Sequence, residues 1–370
     1  MASTPQEETV TETATAEDTA EAPPKPDHIM QLGFGFFGAK TLLTAVKLGV
    51  FDALADGAAT RDELRDALDL HPRSTADFLD ALVALGVLRR TDGRYANTRE
   101  ADAFLVSGRP SYIGGVLEMA NDRLYPFWDR LKGALRTGQP TNALEDEDAT
   151  HPFDVIYDDR ECLQQFVGAM TGLSMGVANA LAEEFPWERY ETVLDLGTSE
   201  GIVPKRIAEE NANIRAVGAD LPRIEPHFRA LAGESPAADR IEFRTVDFFA
   251  DDALPSADVY VLGHILHDWG RAEKNEILGK VVDAVNDGGA IIVYGTMIDD
   301  ERRENAMGLL MSLNMLVETP DGFDYTHGTC KEWLREAGFM DPSVDPLPGP
   351  ESMVVAHKDP KTSSGTPAAP

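Results

Sequence analysis

The chain has 370 residues, room for two or three domains, and a formal net charge of −31. That charge excludes non-specific binding to nucleic acid or to an anionic membrane, which needs the opposite sign. Cys162 and Cys330 stand far apart in no metal or redox spacing and read as reduced core thiols of a cytoplasmic protein. No run has the unbroken apolar length of a membrane span, and the N-terminus lacks the basic-then-apolar order of a signal peptide.

In chain order, residues 1–26 are Thr, Glu, Ala and Pro with almost no large apolar side chain, a disordered acidic tail. Residues 27–106 read as helices followed by a small wing. Ile29 to Val50 is a single long helix rich in Gly and Phe. Thr60 caps the next helix, with Glu63 at the capping-box position. A third helix, Ser74 to Leu85, turns Phe78, Leu79, Leu82 and Val83 inward, and Thr91-Asp92-Gly93 signals a hairpin. A winged helix invites a DNA-binding reading. Here Asp62, Glu63, Asp66, Asp69, Asp77 and Asp80 surround the few arginines, so the face cannot neutralise phosphates. The greasy first helix reads instead as a dimer surface.

Residues 107–190 continue as helices carrying Met119, Phe166 and Met170, a methionine and aromatic face that suits a core or the wall of an aromatic-substrate pocket. The Glu145–Asp148 acidic run between them reads as solvated surface.

Residues 191–358 are organised by VLDLGTSEGIVPKRIAEENANIRAVGADLP, residues 193–222. A short apolar strand, a turn holding Gly197 and Gly201, a helix, and a second strand ending on Asp220 make a nucleotide-binding βαβ unit. Glycines let the backbone approach a ligand closely, and an acid at the next strand tip accepts both hydroxyls of a ribose. The dinucleotide fingerprint is missing. Asp195 and Glu200 flank the turn instead, which repels a pyrophosphate and suits a cationic ligand such as S-adenosylmethionine. The alternation then continues through Ile241–Val246, Ala257–Gly263 and Ala290–Tyr294, placing Asp220, Asp247 and the His267 segment at strand carboxyl ends, where ligands sit in such sheets. A final tail runs from 359 to 370.

The combination VLDLGTSEG, ADLP, VDFF, GHILHDW, NDGGAIIVY and WLREAGF resembles the S-adenosylmethionine-dependent small-molecule O-methyltransferases, the family of caffeate and acetylserotonin enzymes and their bacterial natural-product branch. The resemblance runs from about residue 28 to 357. It implies an α/β fold: a Rossmann-like class I methyltransferase domain behind an N-terminal winged-helix dimerisation domain. It also implies roles. Gly197 packs on the methionine part of the cofactor, Asp220 binds the ribose, Asp247 and Phe248 hold the adenine, and Gly263 offers only backbone where plant members carry a Lys. His267 corresponds to the general base, flanked by Asp268 and Asp324, and Asn314 to a position facing substrate, with Met311 beside it.

The chemistry asks for such a base, because a phenol with pKa about 10 is mostly protonated at neutral pH and an imidazole is poised to take its proton. His264, Asp268 and His327 suggest a metal, but no spacing compels one and none is assigned. Family members usually carry a Glu at the position of Gly295, where this chain has no side chain to orient the base. The reading is therefore a homodimeric O-methyltransferase acting on a small aromatic or polyketide-type metabolite. C-methylation, as of a 2-oxo acid, or a non-methylating reaction on the same scaffold is the alternative, and a DNA-binding regulator is the remote one.

Overall fold

The computed structural model describes residues 24–109, 111–141 and 151–360. The expected acidic loop Glu145–Asp148 lies outside them, as do residues 1–23 and 361–370 of the two tails.

The N-terminal unit is helical with a three-stranded sheet of β1 (Ala59–Thr60), β2 (Leu88–Thr91) and β3 (Arg94–Asn97), in the order β1-β3-β2. Asp92 and Gly93 both take positive φ, +50° and +73°, which matches the twist of the β2–β3 hairpin they close. The capping box forms: the Glu63 N–H donates to Thr60 Oγ1 and the Thr60 N–H to Glu63 Oε2, at 3.3 and 2.6 Å. Leu79 and Leu82 of the helix Pro72–Ala84 pack on Phe51, Leu88 and Tyr95.

Two expectations fail here. The first helix is two, Asp27–Gly33 and Gly35–Lys47, broken at Phe34 between flanking glycines with low helix propensity. The stretch Asp27–Lys47, with a mean hydropathy of 1.3 over its best window, is by length and composition apolar enough to cross a membrane, contrary to the sequence reading. Its first half is uncovered in this chain, Ile29 at 72% exposure and Leu32 at 76%, while Leu43, Ala45 and Val46 near its end are buried.

The second unit is a seven-stranded sheet. Its strands are β4 (Thr192–Leu196), β5 (Arg215–Asp220), β6 (Ile241–Thr245), β7 (Ala257–Gly263), β8 (Val285–Gly295), β9 (Met340–Pro346) and β10 (Ser352–His357), in the order β6-β5-β4-β7-β8-β10-β9. The first five are parallel, and β10 inserts antiparallel between β8 and β9. The chain runs outward from β4 through β5 to β6, then returns to the other side of β4 for β7. That reversal opens a crevice at the carboxyl ends of β4 and β7. Val193, Val259 and Ile292 pack on one face of the sheet, while Leu194, Tyr260 and Ile291 pack on the other, so the central strands are apolar on both faces. The β9–β10 pair was not read from the sequence, since Pro342 and Pro346 break the strand pattern of β9, which only an edge position tolerates.

Residues 152–184 form two helices, Pro152–Asp158 and Arg160–Glu184, with Asp159 capping the second through the Cys162 N–H at 2.8 Å. Cys330 is buried, but Cys162 in that first turn is exposed, so only one of the two thiols belongs to a core.

Candidate active site

The crevice between β4 and β7 deepens into a cavity of about 430 Å³, in the range of small-molecule sites. One wall is built from backbone turns at strand ends. After β4 the chain turns through Gly197, Ser199 and Gly201, all at positive φ. A Cβ on Gly197 would stand 2.2 Å from Ile265 Cδ1, and one on Gly201 2.3 Å from Phe228 Cε2, so the close approach these glycines permit here is to the protein's own side chains. Ser199, at φ +52°, holds a left-handed conformation that costs a non-glycine residue on the order of 1 kcal/mol or more. Its N–H donates to Asp220 Oδ2 at 2.9 Å, and the Leu221 N–H donates to Asp220 Oδ1 at 2.8 Å. The carboxylate at the tip of β5 is thereby fixed by two backbone N–H groups, one on each oxygen.

Burial pushes Asp220 up to about 6, against the pull of those two N–H groups. Asp195 is pushed up to about 7 by burial, with the Thr198 hydroxyl donating to it at 2.7 Å. Glu200 accepts from Thr171 Oγ1 at 2.7 Å. At the end of β6, Asp247 Oδ1 accepts from the N–H groups of Phe249 and Ala250, both at 2.9 Å, a turn that presents Phe248 to the cavity. Gly263 ends β7, and a Cβ there would lie 2.0 Å from Tyr294 Cζ. The Tyr294 ring occupies the space a longer side chain at 263 would need.

The opposite wall is made of side chains from helices far apart in sequence. Met119, Phe166, Met170, Met311 and Asn314 all reach the cavity. Asn314 is held from both ends: its Oδ1 accepts from Trp128 Nε1 at 2.8 Å and its Nδ2 donates to Glu318 Oε1 at 2.6 Å. Glu318 also pairs with Arg123 at 2.7 Å. Arg123 belongs to a π-helical turn, Ala120–Leu124, an irregularity that often marks functional sites.

His267 lies where the two walls meet, in a short turn after β7. Its Nδ1 is 3.3 Å from Asp324 Oδ1 and its Nε2 3.6 Å from Asp268 Oδ1. His267 and Asp268 line the cavity; Asp324 stands behind the ring. Burial alone would push the imidazole down, but the Asp268 and Asp324 carboxylates outweigh it and raise His267 to about 9. Burial in turn pushes Asp268 up to about 7 against the pull of His267. The Trp269 indole stacks on His151 at 4.5 Å and meets Phe248 and Phe249 edge-on, closing this end with aromatic surface.

His264 also faces the cavity, at φ +56°, with its Nε2 3.5 Å from Glu351 Oε2 and its basicity lowered by burial. A Cβ on Gly295 would sit 3.8 Å from His264 Nδ1, an ordinary contact, so this imidazole stands beside the position that carries no side chain. His327 lies elsewhere, sharing a 2.7 Å hydrogen bond with Ser352 Oγ. Among the described residues no three His, Cys, Asp or Glu side chains converge as a metal site. Tyr157, whose hydroxyl is 3.5 Å from Asp220 Oδ1, and the residues Trp269, Tyr294, Arg123 and Glu318 also line this cavity without having been singled out in the sequence. Phe153 and Tyr157, four apart on a short helix, were the available signal for the first.

Residues 128–340 match the model of the O-methyltransferase domain. The chain belongs to that family. Residues 30–107 match the O-methyltransferase dimerisation domain. The chain is 38% identical over 334 residues to the tetracenomycin polyketide synthesis 8-O-methyl transferase TcmO of Streptomyces glaucescens, covering 90% of this chain and 97% of that one. It is 35% identical to the N,N-dimethyltransferase OxyT of Streptomyces rimosus, covering 84% and 90%. Among solved structures, human N-acetylserotonin methyltransferase in complex with its cofactor superposes with a TM-score of 0.82 at 26% identity, over 94% of this chain and all of the other. The fold is that of a class I methyltransferase with a dimerisation domain, and the protein is an S-adenosylmethionine-dependent methyltransferase.

Proposed function

We propose that the protein methylates a phenolic hydroxyl of a polycyclic aromatic metabolite of the polyketide type, with His267 as general base. The observation that carries this reading is the imidazole at the junction of the two walls, set between two carboxylates and opening onto an apolar, aromatic pocket. The donor set fits S-adenosylmethionine: buried carboxylates for a cationic ligand, the backbone-fixed Asp220 for ribose hydroxyls, the Phe248 ring for adenine, and a buried Ser199 Oγ without a protein partner. When bound, that group supplies a methyl already activated by a positively charged sulfur.

The chain's own work is then to orient and to move one proton. The acceptor wall holds an aromatic ring between Met119, Phe166, Met170 and Met311, with its hydroxyl toward His267 and Asn314 on its polar edge. His267 removes the hydroxyl proton as the oxygen gains its methyl, and Asp324 and Asp268 stabilise the imidazolium that results. We assign Gly197 and Gly263 to backbone contacts with the cofactor and Asp247 to the adenine. Domain boundaries at 27–106, 107–190 and 191–358, a homodimer formed through the first of these, and a cytoplasmic setting complete the proposal. The dimerisation-domain match supports the pairing, which would cover the apolar helix faces around Ile29 and Phe37.

OxyT favours a second reading, an amine acceptor in the same pocket. Incubation with methyl-labelled cofactor and a panel of naphthols, anthraquinones and aryl amines separates the two. Label in an alkali-stable aryl ether is expected; label only on nitrogen or carbon would overturn the phenolic assignment.

A further inference from the structure

β8 ends on Gly295, and the neighbouring strand brings a carboxylate to this position, which has no side chain of its own. β10 runs antiparallel to β8 with Ser352 opposite Gly295, so Glu351 falls opposite Thr296, whose hydroxyl donates to Glu351 Oε1 at 2.9 Å. The Leu347 N–H donates to the Glu351 carbonyl at 3.0 Å and Asn305 Nδ2 to the Pro350 carbonyl at 3.3 Å, so the loop carrying this acid is itself tied down. The second oxygen, Oε2, is buried without a protein hydrogen-bond partner. It stands 3.5 Å from His264 Nε2, which is buried and unpartnered as well. Leaving two buried polar atoms unpaired is costly, and a small approach joins these two to each other.

The backbone presents His264 at a cost. Its φ of +56° is left-handed, a conformation that a non-glycine residue keeps only where its surroundings impose it, and such strain gathers at ligand sites. Its N–H donates to the Tyr294 carbonyl at 3.1 Å, and its ring meets the Tyr294 ring edge-on at 5.4 Å. It lines the same cavity as His267, and the two imidazole centres are 5.7 Å apart, close enough for one aromatic ligand to touch both. Burial makes His264 less basic than a free imidazole, so near neutral pH the ring carries a single proton. With Nε2 turned to a carboxylate, that proton belongs on Nε2. Nδ1 is then a bare acceptor. It borders the Gly295 position, where a Cβ would meet no other atom within 4 Å. A bare acceptor pairs with a hydroxyl and rejects a carbonyl or ether oxygen.

We propose that His264, oriented by Glu351, is a specificity residue of the acceptor site: its Nδ1 accepts a hydrogen bond from a second hydroxyl of the substrate, while the hydroxyl to be methylated lies at His267. The acceptor class is then an aromatic with at least two hydroxyls rather than a monophenol. This rests on methylation at a phenolic oxygen, yet the contact is readable without turnover. Protein isotope-labelled at the histidine ring nitrogens and loaded with S-adenosylhomocysteine is titrated, by NMR, with naphthalenediols whose hydroxyls are meta or peri, with their monomethyl ethers and with naphthol. His264 is expected to be protonated at Nε2 and bare at Nδ1, and its Nδ1 resonance to move with at least one diol but not with the ether or naphthol. In turnover, kcat/KM is expected to favour that diol over naphthol about fivefold. His264→Phe and Glu351→Leu are expected to bring this ratio within about twofold of one; a ratio taken within one variant cancels any loss common to both acceptors. His264→Asn, shorter and tolerant of the left-handed backbone, serves if Phe does not fold. Glu351→Gln keeps an acceptor for the Nε2 proton and is expected to keep the preference. A proton on Nδ1, an Nδ1 resonance that no diol moves, or a preference that survives loss of the imidazole or of the Glu351 acceptor overturns the proposal. A moved Nδ1 resonance with no methyl reaching oxygen would support this contact while removing the phenolic assignment.

Discussion

The two walls of the cavity are built from different materials. On the β4–β6 side main chain holds the two strand-end acids: Asp220 accepts from two backbone N–H groups and Asp247 from two more, over a turn of positive-φ residues, with the Thr198, Thr171 and Tyr157 hydroxyls adding side-chain contacts to Asp195, Glu200 and Asp220. On the other side the contacts pass between side chains of separate helices, Trp128 to Asn314 to Glu318 to Arg123, set among methionines. A wall made of backbone is rigid and tolerates little change. A wall made of methionine and phenylalanine can be re-cut without disturbing the first. That difference suits an enzyme whose methyl donor is fixed and whose acceptor varies across relatives.

The largest expected effect falls at the junction. His267→Ala is expected to lower kcat by roughly 10²- to 10⁴-fold, the usual contribution of a positioned base. Cofactor affinity, measured by calorimetry, is expected to stay within twofold, since the first wall is untouched. Turnover close to that of the wild type would sink the base assignment.

The same imidazole sets the pH dependence. As the proposed base it must be neutral to take a proton, and its folded-state value is raised to about 9, so kcat is expected to climb about tenfold per unit from pH 7 toward 9. Stability moves the opposite way. The folded value lies above the unfolded value of about 6.5, so the stabilisation from Asp268 and Asp324 is complete below that pH and is lost as pH rises through 9. Melting curves of wild type and His267→Ala are expected to converge between pH 6.5 and 10. A constant gap between them would mean the carboxylates do not hold the proton.

Asp220→Ala tests the backbone wall. Hydrogen bonds to a charged acceptor contribute about 1.5–3 kcal/mol, so cofactor Kd is expected to rise about 10- to 100-fold. Since the native carboxylate is pushed up to about 6, wild-type affinity is also expected to strengthen from pH 5 to 7 and then level off. A pH-independent Kd, or one unchanged in the variant, would remove the ribose contact from Asp220.

These contrasts explain what could be read in the sequence. The backbone wall is local: a strand, its turn and the next strand tip are contiguous, so Gly197, Asp220, Asp247 and Phe248 were all identifiable from short motifs and all line the cavity. His267 was legible for the same reason, lying four residues after the end of a strand. Asp324 needed the family resemblance, and no periodicity shows that Glu351 comes to His264. The acceptor wall was visible only as residue type. Met119, Phe166 and Met170 looked like core or pocket equally well, and Arg123 looked like any surface arginine, because their convergence depends on how helices up to 195 residues apart in sequence cross one another. The break at Phe34 was missed because apolar periodicity overrode the flanking glycines, and β9 because its prolines suggested no strand at all.

The smallest expected effect is the one that most sharpens the contrast. Met170 lines the acceptor side from the helix Arg160–Glu184, whose next residue, Thr171, is the donor to Glu200 in the Gly197–Gly201 turn. Met170→Leu nearly conserves volume, and such exchanges usually cost less than about 1.5 kcal/mol. The fold and the cofactor Kd are therefore expected to hold, while the ratio of kcat/KM between a two-ring and a four-ring phenol shifts by a few-fold, because a branched side chain cannot follow the outline of each ring system as a flexible thioether can. If the substitution instead moved cofactor affinity as much as acceptor preference, the two walls would be one mechanical unit, and the independence argued from their different materials would fail.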